Sequence, residues 1–207
     1  MQVSFNVHLN GKTEQIDNAR IMEYAREIGL DSIAPGRFSA LFALNILLLE
    51  LVHGIPPDSV LAEVRALEGA GPATTTKPES EFRGAYLRGL WHKHFFFANL
   101  SVLATNIMNQ LAGGRLDALV NQVFDPSKSP TITAEMVGEL SHRVVHESLE
   151  NRSAQNRLTG EWIIFAKHEG QNYYLCTSTH ESGDENIAQN IKTACLPEFG
   201  FLSAYLS

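Results

Sequence analysis

Cysteine is almost missing from this chain: Cys176 and Cys195 are the only two among 207 residues. Neither stands in a CxxC or any other zinc-ligand spacing, which argues against a disulfide framework and a cysteine-rich zinc module and makes a reducing, cytoplasmic setting the expectation. Cations are also short, with 16 Lys and Arg against 23 Asp and Glu and a net charge of −7. Nonspecific coating of nucleic acid or of an anionic membrane depends on excess positive charge facing phosphates, so the chain as a whole is not composed for it. A local basic patch is the remaining route to an anion.

No apolar run is of membrane-spanning length. The most apolar stretch, "FSALFALNILLLELVHG", covers seventeen residues and carries Asn45 and Glu50, so it reads as a buried helix, with no membrane partner expected. The opening "MQVSFNVHLNGK" lacks a basic segment followed by an apolar one and does not read as a signal peptide. GxGxxG, GK[ST], GxSxG and HExxH are all absent, and with them the usual signatures of nucleotide binding, serine hydrolases and zincins. No resident cofactor is expected.

What is present is an ordinary globular composition, 44% hydrophobic, arranged in mixed periodicities. "QVSFNVH" alternates polar and apolar side chains ahead of Asn10-Gly11, which predicts a small N-terminal hairpin. Asp17 or Asn18 is placed to cap a helix that Gly29 stops, a second helix is predicted from about Arg37 to His53, and a third begins at Asp58. "GAGPATTTKPESE" is the strongest linker signal. The expected organisation is therefore residues 1–70, a linker or mobile loop at 71–81, and residues 82–207, with the two larger parts free to form one domain.

Beyond the linker, helical spacing ends at Gly113-Gly114, a further helix is predicted at 115–124, and a long one from about Ala134. "EWIIFAKHEGQNYYLCTSTH" has the composition of a β-hairpin about a Glu-Gly-Gln turn, "GDENIAQNIKTA" of a short helix, and "FGFLSAYL" of a last strand. The fold class this predicts is α+β, mainly helical, with a small N-terminal hairpin and a C-terminal antiparallel β-rich unit.

Three groups of residues carry possible chemistry. From Phe82 to Leu116 there is no Asp or Glu, while Arg83, Arg88, Lys93 and Arg115 lie inside, with Tyr86, Trp91 and Phe95 among them. Cations interleaved with aromatics are what a phosphate backbone and a stacked base require, so Arg83, Arg88, Lys93 and Trp91 are candidates for substrate binding. If "WHKHF" is extended, His92 and His94 share a face and can act as general acid and base on an RNA phosphodiester; if it is helical, they diverge. The plainer reading is a buried segment that excludes acids.

In "ELSHRVVHESLE", Glu139, His142, His146 and Glu150 fall at steps of three and four, a stripe that suits a metal-dependent hydrolase and equally suits a solvated helix face. In the C-terminal hairpin, pairing across the turn is expected to set Lys167 near Tyr173 and Trp162 near Ser178 or His180. There Lys167 and Tyr173 are further binding candidates and His180 a further catalytic one. The layout, helices followed by a small antiparallel sheet, resembles that of compact ribonuclease toxins, without a motif that would carry residues over.

The leading functional expectation is metal-independent cleavage of RNA or nucleotide phosphodiesters. Two others stand beside it: a noncatalytic interaction protein, such as an antitoxin, immunity protein or regulatory subunit, whose acidic surface meets a basic protein partner, and the metal-dependent hydrolase built on the helix stripe.

Overall fold

The computed structural model describes residues 4–9, 12–96, 107–127, 131–148, 150–151, 161–179 and 182–206. The chain forms two units: Met1–Thr74, Pro78–Phe95 and Glu161–Ser207 make the first, and Thr75–Lys77 with Phe96–Gly160 the second. The fold is α+β.

The first unit opens with the predicted hairpin, β1 (Ser4–Leu9) against β2 (Lys12–Asp17), antiparallel from Ser4↔Asp17 to Leu9↔Lys12. Asp17 ends the strand and caps α1 (Asn18–Glu27), its Oδ1 accepting the Arg20 amide at 2.9 Å, and Gly29 follows at φ 78°. A single turn, α2 (Leu30–Ile33), leads on to α3 (Ala40–His53). That helix starts three residues later than the apolar pattern suggests, because Ser39 is its cap: the hydroxyl accepts from the Phe42 amide at 3.0 Å and donates to the Leu175 carbonyl at 2.6 Å. Arg37 to Ser39 are extended instead, bonding to Tyr174 through the Tyr174 amide and carbonyl. α4 (Asp58–Leu67) follows, with Asp58 in its first turn.

The sheet of this unit is antiparallel, in the order β3 (Ser80–Glu81), β4 (Trp91–Phe95), β5 (Glu161–His168), β6 (Gln171–Ser178). β5 and β6 are joined by two residues, Glu169 at φ 51° and Gly170 at φ 76°, the left-handed pair a tight primed turn needs. The loop is one residue shorter than expected. Trp162 does face Ser178, but Lys167 pairs with Asn172 and Tyr173 with Ala166, so Lys167 and Tyr173 fall on opposite faces of the sheet.

Alternation settles what covers each face. On one, Phe165 and Tyr174 pack with Phe42 of α3, the Phe42–Tyr174 rings 5.6 Å apart, while Glu68 just beyond α4 accepts hydrogen bonds from Arg37, from Tyr174 Oη at 2.7 Å and from Asn172 at 3.2 Å. On the other, Ile164, Ala166, Leu175 and Cys176 form a core with Phe82, Leu87, Leu90 and the helix α5 (Asp184–Ala194) through Ile187 and Ile191. Cys195 belongs to that core, and burial pushes its thiol up to about 12. The expected last strand at "FGFLSAYL" is instead a 3₁₀ turn, Gly200–Ala204: Phe199, Leu202 and Tyr205 recur every three residues, a spacing that gives one packed edge in a turn of that pitch and none in a strand.

In the second unit, α6 (Arg115–Val123) follows Gly113 and Gly114, both at positive φ. Thr133 caps α7 (Ala134–His142), which runs on into a π turn, Arg143–Glu147. Among the described residues no helix is long and apolar enough to cross a membrane.

Candidate functional site

β4 is extended and paired on both sides, Ser80↔His92 and Glu81↔Trp91 with β3, then His92↔Ile164 and His94↔Trp162 with β5. Period-two alternation therefore puts His92 and His94 on one face, their ring centroids 5.6 Å apart, and Trp91, Lys93 and Phe95 on the other. His92 is set within an aromatic frame, Phe82 at 4.5 Å and Trp162 at 5.3 Å between ring centroids. Its Nε2 lies 3.2 Å from the Ser80 hydroxyl, an exposed group on the edge strand. His94 is 5% exposed and stands behind it.

Lys93 serves a different purpose. Its ammonium points to the helical face, where it lies 3.3 Å from Glu63 Oε2, with both side chains under a tenth exposed, and Thr74 donates to the same carboxylate at 2.6 Å. A cation committed to a buried carboxylate is a fixture of the core. The phosphate-binding candidates of this segment reduce to Arg83 and Arg88.

Those two arginines, both exposed, line an open groove of about 670 Å³ with Trp91 and the Glu79–Phe82 edge. Lys167 reaches the same place from β5: its ammonium sits 3.8 Å above the centre of the Trp91 ring and 3.6 Å from Glu79. That ion pair offsets one of the two carboxylates on the rim, so Arg83 and Arg88 outweigh Glu81 for an incoming anion. The glycines of the segment are used internally. At Gly89, φ 86°, a β-carbon would lie 2.9 Å from the Tyr205 ring, and at Gly84 one would meet Asp184 at 2.9 Å, so the close approaches they permit are to this chain's own side chains.

The remaining candidates are dispersed. Tyr173 packs on Phe199 and Phe201 at 5.3 and 4.8 Å, away from the groove. His180 lies outside the described residues. His142 and His146 stack at 5.0 Å in the second unit, but Arg143 engages Glu139 at 3.6 Å and Glu147 at 3.1 Å, and among the described residues no three His, Cys, Asp or Glu side chains gather as metal ligands. A π turn also adds a residue to the helical repeat between His142 and Glu150, which takes the stripe out of phase.

Ser80 is the candidate residue that the sequence did not disclose. It is twelve positions from His92 and joins it only through strand pairing, and it stands in the stretch that reads from sequence as a linker. A second cavity of about 240 Å³ between α3, β6 and α5 is lined by Asn45, Thr177, Ser178, Thr179, Ser182 and Asn190 among others. Several of these polar groups bond to one another, Asn45 to the Thr177 amide at 3.0 Å and Thr179 to Ser182 at 2.9 Å.

The groove thus combines a hydroxyl, two guanidiniums and an indole, with the His92 imidazole 3.2 Å from the hydroxyl on the sheet face opposite the indole; together they can bind an anion, stack a ring and move a proton. Compared with known proteins, the chain matches no family model, no curated protein and no solved structure.

Proposed function

We propose that this protein cleaves phosphodiester bonds in RNA or nucleotides by metal-independent histidine chemistry at the β3–β4 edge. The observation that carries this reading is the Ser80–His92 contact at 3.2 Å on the rim of a groove holding Arg83, Arg88 and Trp91. The arginines neutralise the phosphate, Trp91 offers its ring to a base, and His92 is the proton-transfer group. His94 is a positioning residue, packed behind His92 and helping to set its ring. Incubation of untagged protein with RNA, with and without EDTA, tests this: cleavage persists in EDTA, and His92→Ala lowers its rate by about 10²–10⁴. Cleavage that EDTA abolishes, or an unaffected His92→Ala variant, overturns it.

A noncatalytic interaction protein is the second reading, favoured by Leu51 and Val52, adjacent on α3 and each about half exposed. It expects no turnover of any nucleic acid and a stoichiometric partner that Leu51→Asp releases.

A further inference from the structure

His92 places its Nε2 3.2 Å from the hydroxyl of Ser80, which lines the groove, while His94 is 5% exposed and does not line it. Two histidines acting as base and acid on opposite sides of a phosphorus are therefore not what this edge provides, since His94 is buried. Transfer through an enzyme nucleophile needs only one imidazole, because the proton it takes from the nucleophile is the proton it returns to the leaving oxygen. Ser80 meets the structural terms. It is exposed, it lies directly opposite His92 in the β3–β4 register, and it shares the groove with both arginines.

We propose that Ser80 is the nucleophile of a Ser80–His92 dyad, and that its substrates are phosphodiesters whether or not they carry a 2′-hydroxyl. This rests on the reading of the groove as a phosphodiester site and deepens it. The reaction uses the His92 tautomer protonated at Nδ1, so that the Ser80 hydroxyl donates to Nε2 across the 3.2 Å contact. As Oγ bonds to phosphorus, its proton passes to Nε2, the bond from phosphorus to the leaving oxygen breaks, and that oxygen takes the proton from the imidazolium. The product is a diester joining Ser80 to the remaining nucleotide. A water molecule then attacks phosphorus, gives its proton to Nε2, and expels Ser80 Oγ, which recovers that proton. Arg83 and Arg88 stabilise the charge on the non-bridging oxygens in both steps.

Three substrates separate the possibilities: an RNA oligonucleotide, its 2′-deoxy counterpart, and bis(4-nitrophenyl) phosphate. The wild-type protein is expected to turn over all three. Ser80→Ala and His92→Gln each lower all three rates at least about 100-fold with unchanged circular dichroism, and diisopropyl fluorophosphate labels Ser80 in a peptide map of the wild type but not of His92→Gln. RNA cleavage that Ser80→Ala leaves intact, with a 2′,3′-cyclic product and neither of the other substrates touched, overturns the nucleophile and leaves the phosphodiester site standing. No turnover of any substrate by the wild type overturns both.

Discussion

Lys93 shows how one residue of sequence separates two kinds of chemistry. Its neighbours His92 and His94 turn to the opposite face, toward Phe82 and Trp162, while Lys93 is buried against Glu63. Removing one partner of such a pair leaves the other charge in the core. Lys93→Ala is expected to cost about 3–5 kcal/mol in urea unfolding, whereas the double exchange Lys93→Met with Glu63→Leu costs much less, because neither charge is stranded. Glu68 is the acid-sensitive counterpart. Burial alone would raise its carboxyl, but the hydrogen bonds from Arg37, Tyr174 and Asn172 hold it below the ordinary 4.5. A carboxyl lowered on folding stabilises the native state above its unfolded value and loses that contribution as the pH falls through the folded one. Thermal melts from pH 6 downward should therefore drop more steeply in the wild type than in Glu68→Gln, with the difference opening below about 4.5.

The elements were legible where a local rule governs them. Asp17, Gly29, the alternation in "QVSFNVH" and the aromatic and β-branched composition of "EWIIFAKH" act within a few positions of themselves, and the hairpins and helices they predict are there, the Asn10-Gly11 turn itself lying outside the described residues. Errors arose where a distant partner decides. Arg37 and Phe38 have helix-compatible neighbours, yet they run extended along Tyr174 more than a hundred residues away, and α3 waits for Ser39. The "FGFLSAYL" turn likewise obeys the packing of Leu202 rather than its own β-forming composition. Ser39 joins the two levels, capping α3 and tying it to β6. Ser39→Ala should lower stability by about 1–3 kcal/mol, read as a shift in the denaturant midpoint at constant slope.

At the scale of the molecule, the first unit is assembled from three separated stretches of chain, and its two longest strands come from the last. Composition marks Gly- and Pro-rich breaks but carries no information about which flanking segments meet again. The candidate site was half legible for the same reason: Arg83, Arg88, Trp91 and Lys167 were readable as residue types, whereas Lys167 meeting Trp91, and Ser80 joining the edge, depend on strand pairing. A chain ending at residue 160 lacks β5, β6 and α5, and thus both surfaces on which α3 and Phe82 pack. It is expected to bind the dye ANS and to unfold without a cooperative transition, in contrast to the full chain; a cooperative melt of the truncated chain would contradict this assembly. Pairings of such long sequence separation also place refolding in the millisecond-to-second range typical of non-local β topologies, roughly, by stopped-flow fluorescence.

The chain's two tryptophans stand on opposite faces of neighbouring strands, Trp91 beneath the Lys167 ammonium and Trp162 against the rings of His92 and His94. Indole emission responds to charge held near the ring, so the protein carries two optical reporters that need no label. An anion drawing on Lys167 and Arg88 alters the light from Trp91; a proton on the imidazoles quenches Trp162. With Trp91→Phe and Trp162→Phe to assign each signal, occupancy of the groove and the protonation of the histidines can be followed separately in the same cuvette.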